Sequence, residues 1–360
     1  KIFSCSSTWI YPIDDPSAHF QSFLYTGNQS SRNITLDGNS DLQPDLYWYK
    51  ARNSNHHYWV DSSRGTTKYL YSSLANAEAT VASAYVTSFN TNGFNVGGGD
   101  SGTNANGISF ANWAWKANGG TTSSNTDGSI TSTVQANQDA GFSIVTYTGT
   151  GANATVGHGL GVTPNIVFYK NRTDSGITGS TNANWIVQSS ALNVDEYIKL
   201  NETAAAATDT GYFRSTRPSS TVLTLGTYNS NNGSSDNLIA YCFAEKQGYS
   251  KFGKYVGNGN ANGTFIYTGF KPAWVMIKRT TGNGTHQWYI YDNKRDEANV
   301  MEQVLQAQGT NAEITSSNIL DFLSNGFKQR SNTQTTNTSG ASYIYMAFAE
   351  NPFVTSTGIP

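Results

Sequence analysis

The chain has 360 residues, a formal net charge of −2, and 13% each of charged and aromatic residues. So few charges beside so many aromatics exclude a disordered chain, and the absence of a Lys/Arg cluster excludes a nucleic-acid partner. No apolar run approaches the roughly 18 residues of a membrane helix, so no membrane insertion is expected.

Residues 1–19 form an N-terminal arm with no counterpart later in the chain. Ile2, Phe3, Trp9, Ile10 and Tyr11 make it apolar, and Pro12 and Pro16 bracket its end. Lys1 is not a natural start, which leaves room for an upstream segment. The arm is expected either to pack back on the first module or to reach a neighbouring subunit.

The first module is expected over residues 20–118. Its landmark is Pro44-Asp-Leu-Tyr-Trp-Tyr-Lys50, an apolar run between a proline and a lysine. Pro164-Asn-Ile-Val-Phe-Tyr-Lys170 and Pro272-Ala-Trp-Val-Met-Ile-Lys278 repeat it at domain-sized spacing. Proline fixes φ and lacks an N–H, so it suits the start of a strand. The apolar run behind it reads as a strand buried on both faces. Trp59, Trp185 and Trp288 follow at similar distances and read as equivalent core residues within their modules. Next come Asn76-Ala-Glu78 and Asn311-Ala-Glu313, replaced in the middle copy by Asn201-Glu-Thr203. Asn-Gly hairpin signals precede Phe94 and Phe327. Each copy closes on an aromatic strand at Trp113-Ala-Trp115, Tyr241-Cys-Phe243 and Met346-Ala-Phe348.

Residues 119–128 are rich in Gly, Ser and Thr and read as a flexible linker. The second module is expected over 129–248 and the third over 249–360. With almost no linker between them, these two are expected to be rigidly joined, with the first hinged. Only 297–308 has helical character, with Val300, Met301, Val304 and Leu305 on one face. The predicted fold is all-β: three tandem antiparallel β-sandwich, jelly-roll-like modules with very little helix.

Candidate chemistry is sparse. Asp61 and Arg64, and likewise Asp292 and Arg295, offer a carboxylate three residues before a guanidinium. They suit an anion or sugar site, or a turn clamp; since Gln188 and Ala191 replace them in module two, the clamp is expected. His56 and His57 would point to opposite faces of a strand, His158 reads as a turn residue, and His19 and His286 are isolated. Glu78 and Glu313 hold equivalent places in different copies, so they do not flank one cleft as glycosidase carboxylates must. Gly97-Gly-Gly99 lacks the lysine and helix of a phosphate loop. Cys242 stands where Ala114 and Ala347 stand elsewhere and reads as a small core residue, unpaired with Cys5. No catalytic residue, metal site or cofactor is expected, so the chain is read as a non-enzyme. Trp9, Trp48 and Trp274 are unrepeated and are candidates for exposed stacking on a sugar ring.

Several stretches carry a resemblance: Gly141-Phe-Ser-Ile-Val-Thr-Tyr-Thr-Gly with Val-Gly-His-Gly-Leu-Gly-Val-Thr-Pro164, Ala240-Tyr-Cys-Phe-Ala-Glu245, Tyr267 to Arg279, and Tyr343 to Phe353. From Phe20 to Pro360 the sequence resembles tail-fibre-like and other virion structural proteins of tailed phages of aquatic bacteria, cyanophages included. The resemblance implies a structural protein located on the virion, at the tail or capsid surface, and supplies no catalytic residues. The expected role is a tail fibre, spike or other appendage that contacts a bacterial surface glycan. Its expected partners are other virion proteins and further copies of itself, with a homotrimer favoured. The alternative is a capsid decoration protein, and the second alternative a glycan depolymerase. With the arm as anchor, module three would be distal, and glycan contacts are expected on its loops at Thr280, His286, Arg330 and Asn332.

Overall fold

The structure is a computed structural model that describes residues 13–81, 85–98, 102–173, 183–315 and 319–351. Cys5, Trp9 and the rest of the arm before residue 13 lie outside the described residues. The fold is all-β, built from antiparallel sheets in three successive pairs.

The larger sheet of each pair repeats one five-strand order. In module one this is Phe20–Thr26, Ser109–Trp115, Leu46–Ala51, His57–Asp61 and Lys68–Tyr71. Module two repeats it as Phe142–Thr148, Asn237–Phe243, Ile166–Asn171, Ile186–Ser189 and Glu196–Lys199. Module three repeats it as Ser250–Val256, Ser342–Phe348, Trp274–Arg279, Trp288–Asp292 and Leu305–Gln306. A smaller sheet completes each sandwich. It is Arg32–Ile34, Gly93–Val96 and Val86–Asn90 in module one, and Ala154–Gly157 with Val222–Leu225 in module two. In module three it is Phe265–Tyr267, Gly326–Gln329 and Leu320–Leu323.

Pro44, Pro164 and Pro272 each stand two residues before the strands Leu46–Ala51, Ile166–Asn171 and Trp274–Arg279, called the anchor strands below. These strands alternate between two apolar faces. Tyr47 and Tyr49, Val167 and Tyr169, and Val275 and Ile277 enter the core of their own sandwich. Leu46 and Trp48, Ile166 and Phe168, and Trp274 and Met276 enter one further core common to all three modules. Strands in the middle of each large sheet are therefore covered on both sides, which explains their continuous apolar runs. Seven of the eight tryptophans (48, 59, 113, 115, 185, 274 and 288) are buried in this common core. Trp274 packs on Trp48, Trp113 and Trp115 with ring centroids 5.7–6.2 Å apart, joining module three to module one. Trp59 packs on Trp185 and Tyr241 at 5.0 and 4.9 Å, joining module one to module two.

Several expectations are corrected by this arrangement. Trp48 and Trp274, candidates for sugar stacking, are buried. Trp59, Trp185 and Trp288 are also buried, but between modules rather than inside them. They are not one equivalent set either. Trp185 and Trp288 stand across from the anchor-strand lysines, the place that His57 takes opposite Lys50, whereas Trp59 matches Ile290 two residues on. A shift of two residues keeps the side chain on the same face, so the common core accepts either position.

The linker at 119–128 carries strand Ser123–Asn125, paired with Ser132–Asn137, and the N–H groups of Gly119 and Gly120 donate to Asp45 at 2.9 Å. A hinge for module one does not fit a chain whose modules share a core. The region 297–308 is not helical. Met301 and Val304 enter the core of module three while Leu305 and Ala307 enter the common core. Residues needed on opposite faces cannot share one helical stripe.

Candidate functional site

The most buried ion pairs gather where the modules meet. At the seam between modules one and two, Arg64 Nε lies 2.5 Å from Asp61 and its guanidinium reaches Glu78 at 3.0 Å. Arg172, from module two, closes the group on Glu78 at 2.7 Å, and the Tyr241 hydroxyl donates to Asp61 at 2.7 Å. Burial works against the Glu78 carboxylate, but Arg172 and Arg64 outweigh it and hold its pKa below the ordinary value.

The seam between modules three and one repeats this pattern. Arg295 lies 2.6 Å from Asp292 and 3.1 Å from Glu313, Arg52 of module one reaches Glu313 at 2.5 Å, and Trp113 Nε1 donates to Asp292 at 3.0 Å. These contacts join residues at opposite ends of the sequence. The three modules therefore close into a ring, the heterologous, head-to-tail solution that a threefold arrangement allows. Asp61 and Asp292 also accept the backbone N–H of Arg64 and Arg295, both at 2.9 Å, so each pair clamps its own turn.

The third seam, between modules two and three, has lost the whole group. The backbone contact of Glu78 N–H to the Arg172 carbonyl, and of Glu313 N–H to the Arg52 carbonyl, recurs as Ala206 N–H to the Thr280 carbonyl. Ala206 and Thr280 thus stand where the seam carboxylate and arginine stand elsewhere. The clamp is replaced by Ser189, opposite Ile166 as Asp61 is opposite Leu46 and Asp292 opposite Trp274, and by Leu192, each one residue on from the Gln188 and Ala191 expected from the sequence. A recess of about 440 Å³ lined by Asn201, Glu202, Thr203, Ala204, Gly284 and Gln308 opens here.

The anchor-strand lysines are buried and bind carbonyl oxygens. Lys278 reaches across the third seam to Thr203 and Ala204 at 3.1 and 2.7 Å, and Lys170 reaches Ala75 of module one at 2.8 Å. Lys50 holds its own Ala51 and Asn53 at 2.6 Å. Burial lowers Lys278 to about 7 and Lys50 to about 8. An amine near neutrality can be a nucleophile, yet these amines are occupied by main-chain carbonyls. Lys170 and Lys278 bind neighbouring modules together, and Lys50 braces its own.

No catalytic constellation is organised among the described residues. His57 is buried, accepts from Trp48 Nε1 at 3.0 Å, and is driven well below its ordinary pKa by burial and by Lys50. His158 contacts the Ser219 carbonyl at 3.2 Å, and Cys242 is unpaired and buried in the core of module two. No group of three metal-ligating side chains occurs among the described residues, and none of their helices is long and apolar enough to cross a membrane.

The four residues proposed for glycan contact divide. Thr280 donates to the Ser342 carbonyl at 3.1 Å and, with His286, lies against module two; His286 is buried, and its N–H donates to the Thr203 carbonyl at 3.0 Å. These two hold the third seam and are not free loop residues. Arg330 pairs with Asp321 at 3.2 Å and remains exposed, as does Asn332.

Glu350 offers a test of the ring closure. It is buried near Ser22 of module one and next to Asn293, accepting from them at 3.3 and 3.2 Å. Burial lifts its carboxyl to about 6, against the pull of Lys294. A carboxyl held above its unfolded value destabilises the fold once pH passes the unfolded pKa, and costs nothing below it. Glu350→Gln is therefore expected to stabilise the protein by about 2 kcal/mol at pH 8 and to change nothing at pH 4. Denaturant melts at both pH values check this, and an equal effect at both would refute it.

The matched family spans the ring as a unit: the family described as "Domain of unknown function (DUF7483)" matches residues 15–352. The chain belongs to this family. The DUF7483 match runs across all three sheet pairs and the seam residues that close module three on module one. No curated protein and no solved structure matches the chain.

Proposed function

We propose that this chain is a non-enzymatic structural protein of a phage particle, a tail fibre, spike or other surface appendage that touches a bacterial surface glycan. The observation that carries the reading is the closed ring. One chain reproduces a threefold assembly, and the buried charges at two of its seams, Asp61, Arg64, Glu78, Asp292, Arg295 and Glu313, are committed to joining modules. Such a design favours rigidity over chemistry. Further copies, as a trimer, and other virion proteins would join through the outer faces, since the inner ones are filled. The test uses particles made from the genome that encodes the chain. Antibody against the chain is expected to label their tails, and the purified chain to slow adsorption to host cells. Absence from purified particles would overturn the reading.

Capsid decoration is the second reading. Three similar faces on one chain suit a threefold position on a shell, and antibody label spread over the head would select it. Under either reading no sugar turnover is expected. Release of reducing sugar from host envelope, abolished by changing one carboxylate, would establish an enzyme instead.

A further inference from the structure

The ring carries its own internal control, because three versions of the same outer surface can be compared within one chain. The smaller sheet of module one turns Asn33, Asn90 and Asn95 outward, and these satisfy one another: Asn90 Nδ2 donates to Asn33 at 2.6 Å and to Asn95 at 3.3 Å. In module two the same edge shows Thr155, whose backbone N–H donates to Ser129 Oγ at 2.9 Å. Module three differs. Ile266 pairs with Phe327 as Ile34 pairs with Phe94, so the neighbours of Ile266 occupy the places of Asn33 and Thr35. Those neighbours are Phe265 and Tyr267, which are 44% and 63% exposed.

The surroundings of the two rings leave their faces open. Tyr267 stands across from Gly326, a Cβ at Gly326 would come within 3.0 Å of the Phe265 ring, and the Tyr267 hydroxyl lies over Gly269. Gly326, the neighbouring-strand residue opposite Tyr267, has no side chain to cover either ring. Val256, 56% exposed, borders the strand through Thr264, whose hydroxyl donates to the Val256 carbonyl at 2.9 Å. Polar groups adjoin: Lys328 pairs with Phe265 across the strands and holds Asn262 at 2.6 Å, and Asp321 pairs with Lys328 and binds Arg330. The strand Phe265–Tyr267 is also an edge of its sheet. An exposed aromatic edge risks aggregation, which modules one and two avoid with polar residues.

We propose that this outer face of module three is a saccharide-binding platform, with Phe265 and Tyr267 stacking on the C–H faces of pyranose rings and Lys328, Asn262 and Arg330 bonding to hydroxyls. The proposal rests on the glycan-contact reading and relocates it from the seam loop to this sheet. Size selects the occupant. The exposed parts of the two rings and Val256 amount to roughly 250–300 Å², against about 800 Å² on each side of a stable protein interface. Residues i and i+2 on one strand lie about 7 Å apart, a spacing that seats adjoining sugar rings. Aromatic rings with charged and amide groups at their rim provide the mixed apolar and hydrogen-bonding surface that a sugar presents in return.

The experiment is affinity electrophoresis of the whole chain through gels holding, one at a time, a panel of bacterial O-antigen and capsular polysaccharides, a β-glucan, a galactan and a mannan. Phe265→Ala and Tyr267→Ala are compared with wild type, with Asn33→Ala in module one as control. Retardation by at least one polysaccharide is expected, weakened about tenfold or more by each aromatic change and unchanged by Asn33→Ala. Melting curves of the variants should match wild type, because both rings are on the surface. Wild-type retardation that survives both aromatic changes would overturn this site and leave the glycan reading standing. No retardation by any of the panel would overturn both. Concentration-dependent self-association lost in the aromatic variants, without retardation, would assign the face to protein contact and also overturn the proposal.

Discussion

Arg295→Ala should destabilise the protein by about 3–5 kcal/mol, because it leaves the carboxylates of Asp292 and Glu313 buried without their shared cation. Arg295 is fully buried, so solvent cannot take its place. The chain itself shows how such a loss is tolerated. At the third seam Ser189, Leu192, Ala206 and Thr280 replace the entire group together, and there the facing residue is Met346 in place of Tyr241 or Trp113. Transplanting that set, as Arg52→Thr, Asp292→Ser, Arg295→Leu and Glu313→Ala, removes every charge at once. The fourfold variant is expected to be more stable than the single one, although it has lost more contacts. Replacing a whole buried ionic group is often nearly neutral, whereas orphaning one member is costly. Equilibrium denaturant unfolding of both variants decides. If the four changes cost as much as the sum of the single ones, the charges act independently and the seam is not a unit.

What the sequence revealed was what lies along a strand, and what it concealed was what lies across one. The proline-to-lysine spacing located all three anchor strands, because proline's missing N–H and the double-sided apolar run are local properties. It also placed Cys242 with Ala114 and Ala347, since the closing strands share one register. A run buried on both faces does not say what covers the second face, so the common core was invisible. Tryptophans then looked like the cores of separate modules. The same gap hid the seams. Asp61 and Arg64 read as a turn clamp, which they are, but Arg172 is brought to their partner Glu78 only by the ring. The apolar spacing in 297–308 imitated a helix because Val304 and Leu305 serve two different cores. Of the four glycan candidates, Thr280 and His286 failed because a loop between strands was taken for surface when a neighbouring module sits on it. Phe265 and Tyr267 carried a usable signal, aromatics where another copy has Asn33 and Thr35, but only after the copies are aligned through Phe94 and Phe327.

Trp274→Ala should cost about 3–5 kcal/mol, the range for truncating a buried aromatic, and its manner of unfolding tests the architecture more sharply than its size. Trp274 belongs to module three, yet its ring meets Trp48, Trp113 and Trp115 of module one. If the modules were independent sandwiches joined by linkers, the loss would fall on one of them, and two transitions would separate. A core shared by all three predicts one transition, seen together by tryptophan fluorescence and far-ultraviolet circular dichroism and shifted as a whole. Leu46 and Ile166 occupy the corresponding places in the other modules, so Trp274→Leu should recover part of the loss by filling some of the cavity. Tyr267→Ala, on the outer face, should stay within about 0.5 kcal/mol of wild type. A Trp274→Ala melt in which module one survives while module three unfolds would show that the common core does not couple them.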